Sequence, residues 1–153
     1  MPQSAFLPVQ FGFSSFVSSA EVIPVVCAII RQPDGCVLLA QRPPAKHLAL
    51  QWEFPGGKIE PGESAASALH REIREELGCE LVLLRDLGEF PHDYGTRRIS
   101  MRAFVCELSP GSPPPVPHEH VAIRWIQPAD ASSLDLAAAD LPILAKLREP
   151  DAV

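Results

Sequence analysis

The apolar positions of this chain follow two rhythms. Val22 to Ile30 is a nearly unbroken apolar run that stops at Gln32-Pro33-Asp34-Gly35, a turn signature, and Cys36 to Ala40 returns as a second run. The pair predicts two strands joined as a hairpin. Glu80 to Leu84, Ser100 to Glu107 and Val121 to Ile126 read as further strands, with Trp125 assigned to the core and His92-Asp93-Tyr94-Gly95-Thr96 to a hairpin tip. Between these strands the rhythm changes: Ala66, Leu69, Ile73 and Leu77 lie on one stripe at helical spacing. Ser64 suits the N-cap and Gly78 the C′ position, which sets a helix over Ala65 to Leu77. A last helix follows Leu141-Pro142, where proline is tolerated in the first turn. Ser109 to Pro117 carries five prolines. It is a stiff connection that cannot pair in a sheet, and reads either as a plain linker or as a lid leading into Glu119. There are no internal repeats.

The predicted helix carries Glu72, Glu75 and Glu76 at positions i, i+3 and i+4, which share a face. The spacing predicts that the three carboxylates converge within a few ångströms, flanking the apolar stripe at the rim of a cleft. Their placement is costly. Negative charge in the last turns opposes the helix dipole by roughly 0.3–1 kcal/mol per group. The Glu72/Glu76 pair adds a repulsion of about 0.2–0.5 kcal/mol. Arg71 and Arg74 offset part of this but are expected to point to other faces. Three such acids are either a solvated charge run or a site for a hard cation such as Mg²⁺. The preceding Phe54-Pro55-Gly56-Gly57 and Pro61-Gly62 bracket a tight turn whose backbone can approach a ligand closely.

Taken together, Gly57, Glu63, Arg71, Glu72, Ile73, Glu75, Glu76, Gly78 and Cys79 resemble the Nudix box: Gly, five residues, Glu, seven residues, then Arg-Glu-apolar-any-Glu-Glu-any-Gly-apolar. Cys79 departs from the usual larger aliphatic, and a buried free cysteine behaves as a small hydrophobe. Leu38 to Arg42, Trp52 to Gly57 and Ala138 to Pro142 resemble the MutT-type branch, including its CTP-pyrophosphohydrolase members, so that the likeness covers most of residues 22–148.

The resemblance implies an α/β Nudix fold, an α/β/α sandwich with a mixed curved sheet between the box helix and the C-terminal helix. It implies Mg²⁺-dependent hydrolysis of a nucleoside triphosphate to monophosphate and pyrophosphate, with Mn²⁺ a possible substitute ion. Glu72, Glu75, Glu76, Glu119 and the Gly56 carbonyl are the implied metal ligands, and Glu75, Glu76 and Glu119 the implied catalytic acids. Arg42, Phe54 and Asp140 are the implied substrate-binding residues, Arg42 on phosphate and Asp140 on the base. Gly57, Glu63, Arg71 and Gly78 are implied to hold the box together, with Glu63 and Arg71 paired. Glu119 also reads as an ordinary loop acid, and Asp140 also as a cap for the last helix. The implied substrates are normal or modified nucleotides such as 8-oxo-dGTP or 5-methyl-dCTP, in a nucleotide-sanitising role connected with DNA repair. Alternatives are a hydrolase of ADP-ribose-like diphosphates, a non-catalytic nucleotide sensor, and a bare Ca²⁺-binding or scaffold helix. The family's NADH-hydrolase signature after the box is absent.

Splitting a phosphoanhydride requires neutralised phosphate oxygens and a water placed in line. Clustered carboxylates can hold the cations and spare one acid as base. Without metal, their mutual repulsion is expected to raise at least one carboxyl pKa; with metal, activity is expected to improve toward mildly alkaline pH.

Composition narrows the partners. The chain has 153 residues, 46% of them hydrophobic, and a net charge of −6. The pI is about 5.3 and the mean hydropathy +0.08. This suits a domain over 21–150 preceded by a segment 1–20, and argues against binding a nucleic-acid polymer. Residues 1–20 are apolar and serine-rich, without the features of a signal peptide or a membrane span. They read as a disordered tail, an upstream start or a docking arm. Cys27, Cys36, Cys79 and Cys106 lack CxxC spacing and read as reduced thiols of a cytoplasmic protein, monomer or homodimer. His92, His118 and His120 are too dispersed for a closed zinc site.

Overall fold

The computed structural model describes residues 21–150, so expectations about residues 1–20 lie outside the described part. The elements are β1 (Val22–Ile30), β2 (Val37–Gln41), β3 (Trp52–Glu53), β4 (Gly56–Lys58), α1 (Ala65–Leu77), β5 (Leu81–Asp93), β6 (Arg98–Leu108), β7 (Ala122–Ile126) and α2 (Leu141–Leu147), with 3₁₀ turns at Pro128–Ser133 and Ala138–Asp140. One mixed sheet has the order β4-β1-β6-β5 and a second, smaller sheet the order β3-β2-β7. Strands β1 and β6 run parallel from Val22↔Arg98 to Ile30↔Cys106; the other pairings between these strands are antiparallel.

The continuous apolar run of β1 has a direct cause. Val26, Ala28 and Ile30 join the cluster on α1, with Ala68, Leu69, Ile73 and Leu77. Cys27 and Ile29 join the opposite cluster, with Ile143, Leu144 and Leu147 of α2. A strand covered on both faces has no polar alternation to show. This is the α/β/α arrangement of the Nudix fold, with α1 and α2 on opposite sides of the central sheet.

Four expectations need correcting. The turn after β1 forms, with Gly35 N donating to the Gln32 carbonyl at 2.9 Å, but β1 and β2 do not continue as a hairpin beyond an Arg31↔Val37 bridge. Both edges of β1 are taken, by β6 and β4, so β2 pairs with β3 and β7 instead. Strand β5 runs nine residues past Leu84 to Asp93 because irregularities at Leu83/Arg85 and Asp86/Gly88 let it continue through a polar stretch. The hairpin tip is therefore narrower than expected, and His92 and Asp93 belong to the strand. The buried stripe of α1 uses Ala68 rather than Ala66, which is half-buried. Trp125 is half-buried against the α1 cluster rather than enclosed.

Candidate active site

Arg71 organises the loop before α1. Its Nε and Nη2 donate to both Glu63 oxygens at 2.8 and 2.9 Å, and Nη2 also donates to the Lys58 carbonyl at 3.1 Å. The guanidinium holds the Glu63 carboxyl well below the usual range, at about 2, aided by the Glu60 amide. Arg71 does not point away from the other acids: its Nη1 lies 2.9 Å from Glu72 and 3.5 Å from Glu75. Arg74 does leave, to Glu80. Ser64 caps α1 through Ser67 N at 3.1 Å, and Gly78 closes it at φ +63°, its amide donating to the Arg74 carbonyl. A side chain at Gly57 would overlap the Glu72 carboxylate, and one at Gly56 would overlap the Val26 carbonyl. Glycine is required at both by close approach.

The three helix acids share a face but not an environment. Glu76 is buried, Glu72 half-buried, and the Glu75 side chain 54% exposed. Burial pushes Glu76 up to about 9, with Glu53, Glu72 and Glu119 adding to the rise and the Gly56 amide opposing it. Desolvation rather than like charge is the larger cause. Glu72 is raised mainly by burial too, against the pull of Arg71. Among the described residues no three His, Cys, Asp or Glu side chains converge closely enough to hold an ion. The expected convergence is thus absent: Arg71 draws Glu72 and Glu75 to itself while Glu76 turns inward. The donor chemistry still fits a hard cation. Glu76 Oε2 is buried without a hydrogen-bond partner, a state that costs free energy unless something occupies that lone pair.

Glu53 is the residue that sequence reasoning passed over. It sits between Trp52 and Phe54, and its carboxylate accepts from Arg42 Nη1 at 3.1 and 3.0 Å and lies 3.0 Å from His120 Nε2. Arg42 also donates from Nε to the His47 carbonyl at 2.7 Å. An acid placed between two aromatics just before a glycine turn was the available signal. Glu119 is exposed, yet close enough to Glu72 and Glu76 to raise both.

A cleft of about 300 Å³ runs from Glu53, Gly56 and Gly57, which back onto the acids of α1, to Asp140, with Arg42, Tyr94 and Arg97 also in its walls. Asp140 stands at the N-cap position of α2 but its side chain makes no capping bond; its Oδ1 accepts instead from the Phe54 amide at 2.9 Å. That contact exists because β3 is clamped to the segment before Asp140, through Trp52 N to Asp135 O at 2.8 Å and Ala137 N to Trp52 O at 2.9 Å. Asp140 is 3% exposed and burial pushes it up to about 8. Tyr94 closes the same end: its hydroxyl accepts from Ala139 N at 3.1 Å and its ring meets His47 edge-on. Larger hollows, of about 600 Å³ beside Trp125 and about 400 Å³ beside Leu147, contain no clustered buried acids.

The profile of the NUDIX domain matches residues 22–147. With the fold and box geometry above, this chain belongs to the Nudix family, as a hydrolase of phosphoric anhydride bonds. Within the family it falls in the MutT branch. It is 42% identical over 124 residues to the CTP pyrophosphohydrolase of Escherichia coli, covering 81% of this chain and 90% of that one. It is 37% identical over 127 residues to the putative 8-oxo-dGTP diphosphatase 2 of Mycobacterium tuberculosis, covering 82% and 86%. The solution structure of the E. coli ORF135 protein superimposes with a TM-score of 0.71 at 41% identity, covering 83% and 89%.

Proposed function

We propose that this chain is a Mg²⁺-dependent nucleoside triphosphate pyrophosphohydrolase that releases pyrophosphate and a monophosphate. The observation that carries the reading is one cleft with two unlike ends. At one end the wall is Glu53, Gly56 and Gly57, and directly behind it Glu76, held by the Gly56 amide, keeps an unpartnered buried oxygen; at the other, buried Asp140 stands against the Phe54 amide. The first suits cation and phosphate, the second the edge of a base. Glu72, Glu75, Glu76, Glu119 and the Gly56 carbonyl would hold Mg²⁺ or Mn²⁺, which supplies charge neutralisation on phosphate and acidifies water. Arg42 and Arg97 in the cleft wall suit phosphate oxygens, and Glu75, Glu76 or Glu119 would take the proton from the attacking water.

A protonated Asp140 donates to a ring nitrogen or carbonyl, and an ionised one accepts from an exocyclic amine. Both cytosine and guanine derivatives meet these terms, in keeping with the relatives named for CTP and for 8-oxo-dGTP. Cys27, Cys79 and Cys106 are buried free thiols and Cys36 is half-buried, which suits a reducing compartment. No helix of the described residues is long and apolar enough to cross a membrane.

The test is pyrophosphate release with Mg²⁺ across normal and modified dNTPs and NTPs, with ADP-ribose as control. Release from cytosine or guanine triphosphates is expected. Turnover of ADP-ribose with none on any triphosphate would overturn the substrate class while leaving the hydrolase intact.

A further inference from the structure

The proline-rich connection is not a free lid. Ser109 N donates to the Glu80 carbonyl, Val116 N to the Leu77 carbonyl and His118 N to the Glu76 carbonyl, at 2.8, 2.9 and 2.9 Å. His118 Nδ1 lies 3.2 Å from the Glu75 carbonyl. The connection therefore supplies partners for the last carbonyls of α1, which a helix leaves orphaned. Two residues on, the chain is held from the other side. The His120 ring, 5% exposed, sets Nε2 at 3.0 Å from Glu53 Oε1, and Val121 N donates to the Gln41 carbonyl at 3.0 Å as β7 begins. Glu119 is the exposed residue between these two clamps.

We propose that His120 is a positioning residue for Glu119: its buried ring, tied to Glu53, fixes the backbone that presents Glu119 to the acidic face of α1. The ring is enclosed and its Nε2 is engaged, so His120 acts through its neighbour and not on substrate. With Nε2–H donating to the carboxylate, Nδ1 carries the lone pair, and that atom is buried without a partner. An unpartnered buried nitrogen is unfavourable for folding alone. Leucine at this position would relieve that cost but lose the Nε2–Glu53 contact, so what the histidine contributes is the tie to Glu53 rather than burial alone. Arg42 grips the same Glu53, which keeps the carboxylate in place and makes the ring's partner a fixed point.

This proposal rests on the assignment of Glu119 to the active face, and its test separates the two. The variants are His120→Leu, which removes the donor, and His120→Gln, whose amide reproduces Nε2–H. His120→Leu is expected to lower kcat by on the order of 10²-fold, the usual penalty for a catalytic group displaced by about 1 Å, with KM nearly unchanged. His120→Gln should restore most of the rate. In a Glu119→Gln background, His120→Leu should cost little more. Two readouts need no turnover. Amide exchange over residues 116–121 in metal-free protein should quicken in His120→Leu and recover in His120→Gln, and Mn²⁺ affinity should fall alike in His120→Leu and Glu119→Gln without adding in the double variant. Wild-type kcat in His120→Leu, or its full penalty added to Glu119→Gln, overturns the proposal. A wild-type protein inactive on every triphosphate defeats the proposed function instead, and the exchange and Mn²⁺ comparisons then decide the role of His120 by themselves.

Discussion

At the scale of single residues, the two buried acids set opposite tasks. Asp140 titrates near 8 in the folded chain, so its neutral form is lost as pH rises through that value. If the neutral carboxyl donates to the base, KM for the preferred triphosphate should climb above pH 8. Asp140→Asn, neutral at all pH, should flatten that climb; KM measured from pH 6.5 to 9.5 decides it. For Glu76, raised to about 9, the sign is set by proton binding. Between the ordinary carboxyl range and pH 9 the folded state holds a proton that the unfolded state has lost, so stability of metal-free protein falls as pH rises through this window. Glu76→Gln removes that dependence. In EDTA its Tm should exceed that of wild type at pH 9, by several degrees for each kcal/mol recovered. Added Mg²⁺ should raise Tm in wild type and much less in the variant, and turnover of Glu76→Gln should be lost. The box residues were legible in the sequence because their identities are chemical. Glu53 was marked only by its place between two aromatics before the glycine turn, and His120 not at all; their pairing acquires meaning only when the fold joins a two-residue strand to a loop.

Elements carry a second set of consequences. Helix α1 is specified locally by its Ser64 cap, its apolar stripe and Gly78 in the left-handed region, and all three were readable in advance except that Ala68 takes the place expected of Ala66. Ser64→Ala should cost about 1 kcal/mol of unfolding free energy, measured by urea denaturation, and leave kcat unchanged, because the cap lies at the far end of the helix from Glu75 and Glu76. The strands were legible where apolar runs are continuous, as in β1, and not where bulges carry a strand through polar residues, as in β5. A run of charged residues with one glycine looks the same in a loop and in a bulged strand; the partner β6 makes the difference.

For the whole molecule, the central sheet is a partition between two cores that support different ends of the cleft. Leu69 packs in the α1 core beneath the acids, and Ile143 in the α2 core that also contains Ala139 and Phe54. Leu69→Ala and Ile143→Ala should each destabilise by about 2–5 kcal/mol. Near-equal losses in chemical denaturation should accompany unequal functional effects. The first should weaken Mn²⁺ binding more, and the second should raise KM more, measured at a temperature where both variants remain folded.

What the sequence determined alone was everything that follows from residue type at short separation: the box spacing, the helix with its caps, the glycine turn, and the chemistry of three acids on one face. These depend on backbone geometry within a few turns, which a linear pattern encodes. The tertiary structure decided the rest. It buried Glu76 while leaving Glu75 in solvent, sent β2 to a second sheet because β1 had no free edge, joined Arg42, Glu53 and His120, and brought Asp140 onto the Phe54 amide across 86 residues of chain. Burial and long-range pairing depend on which surfaces meet, and that information is spread over the whole chain rather than held in any segment of it.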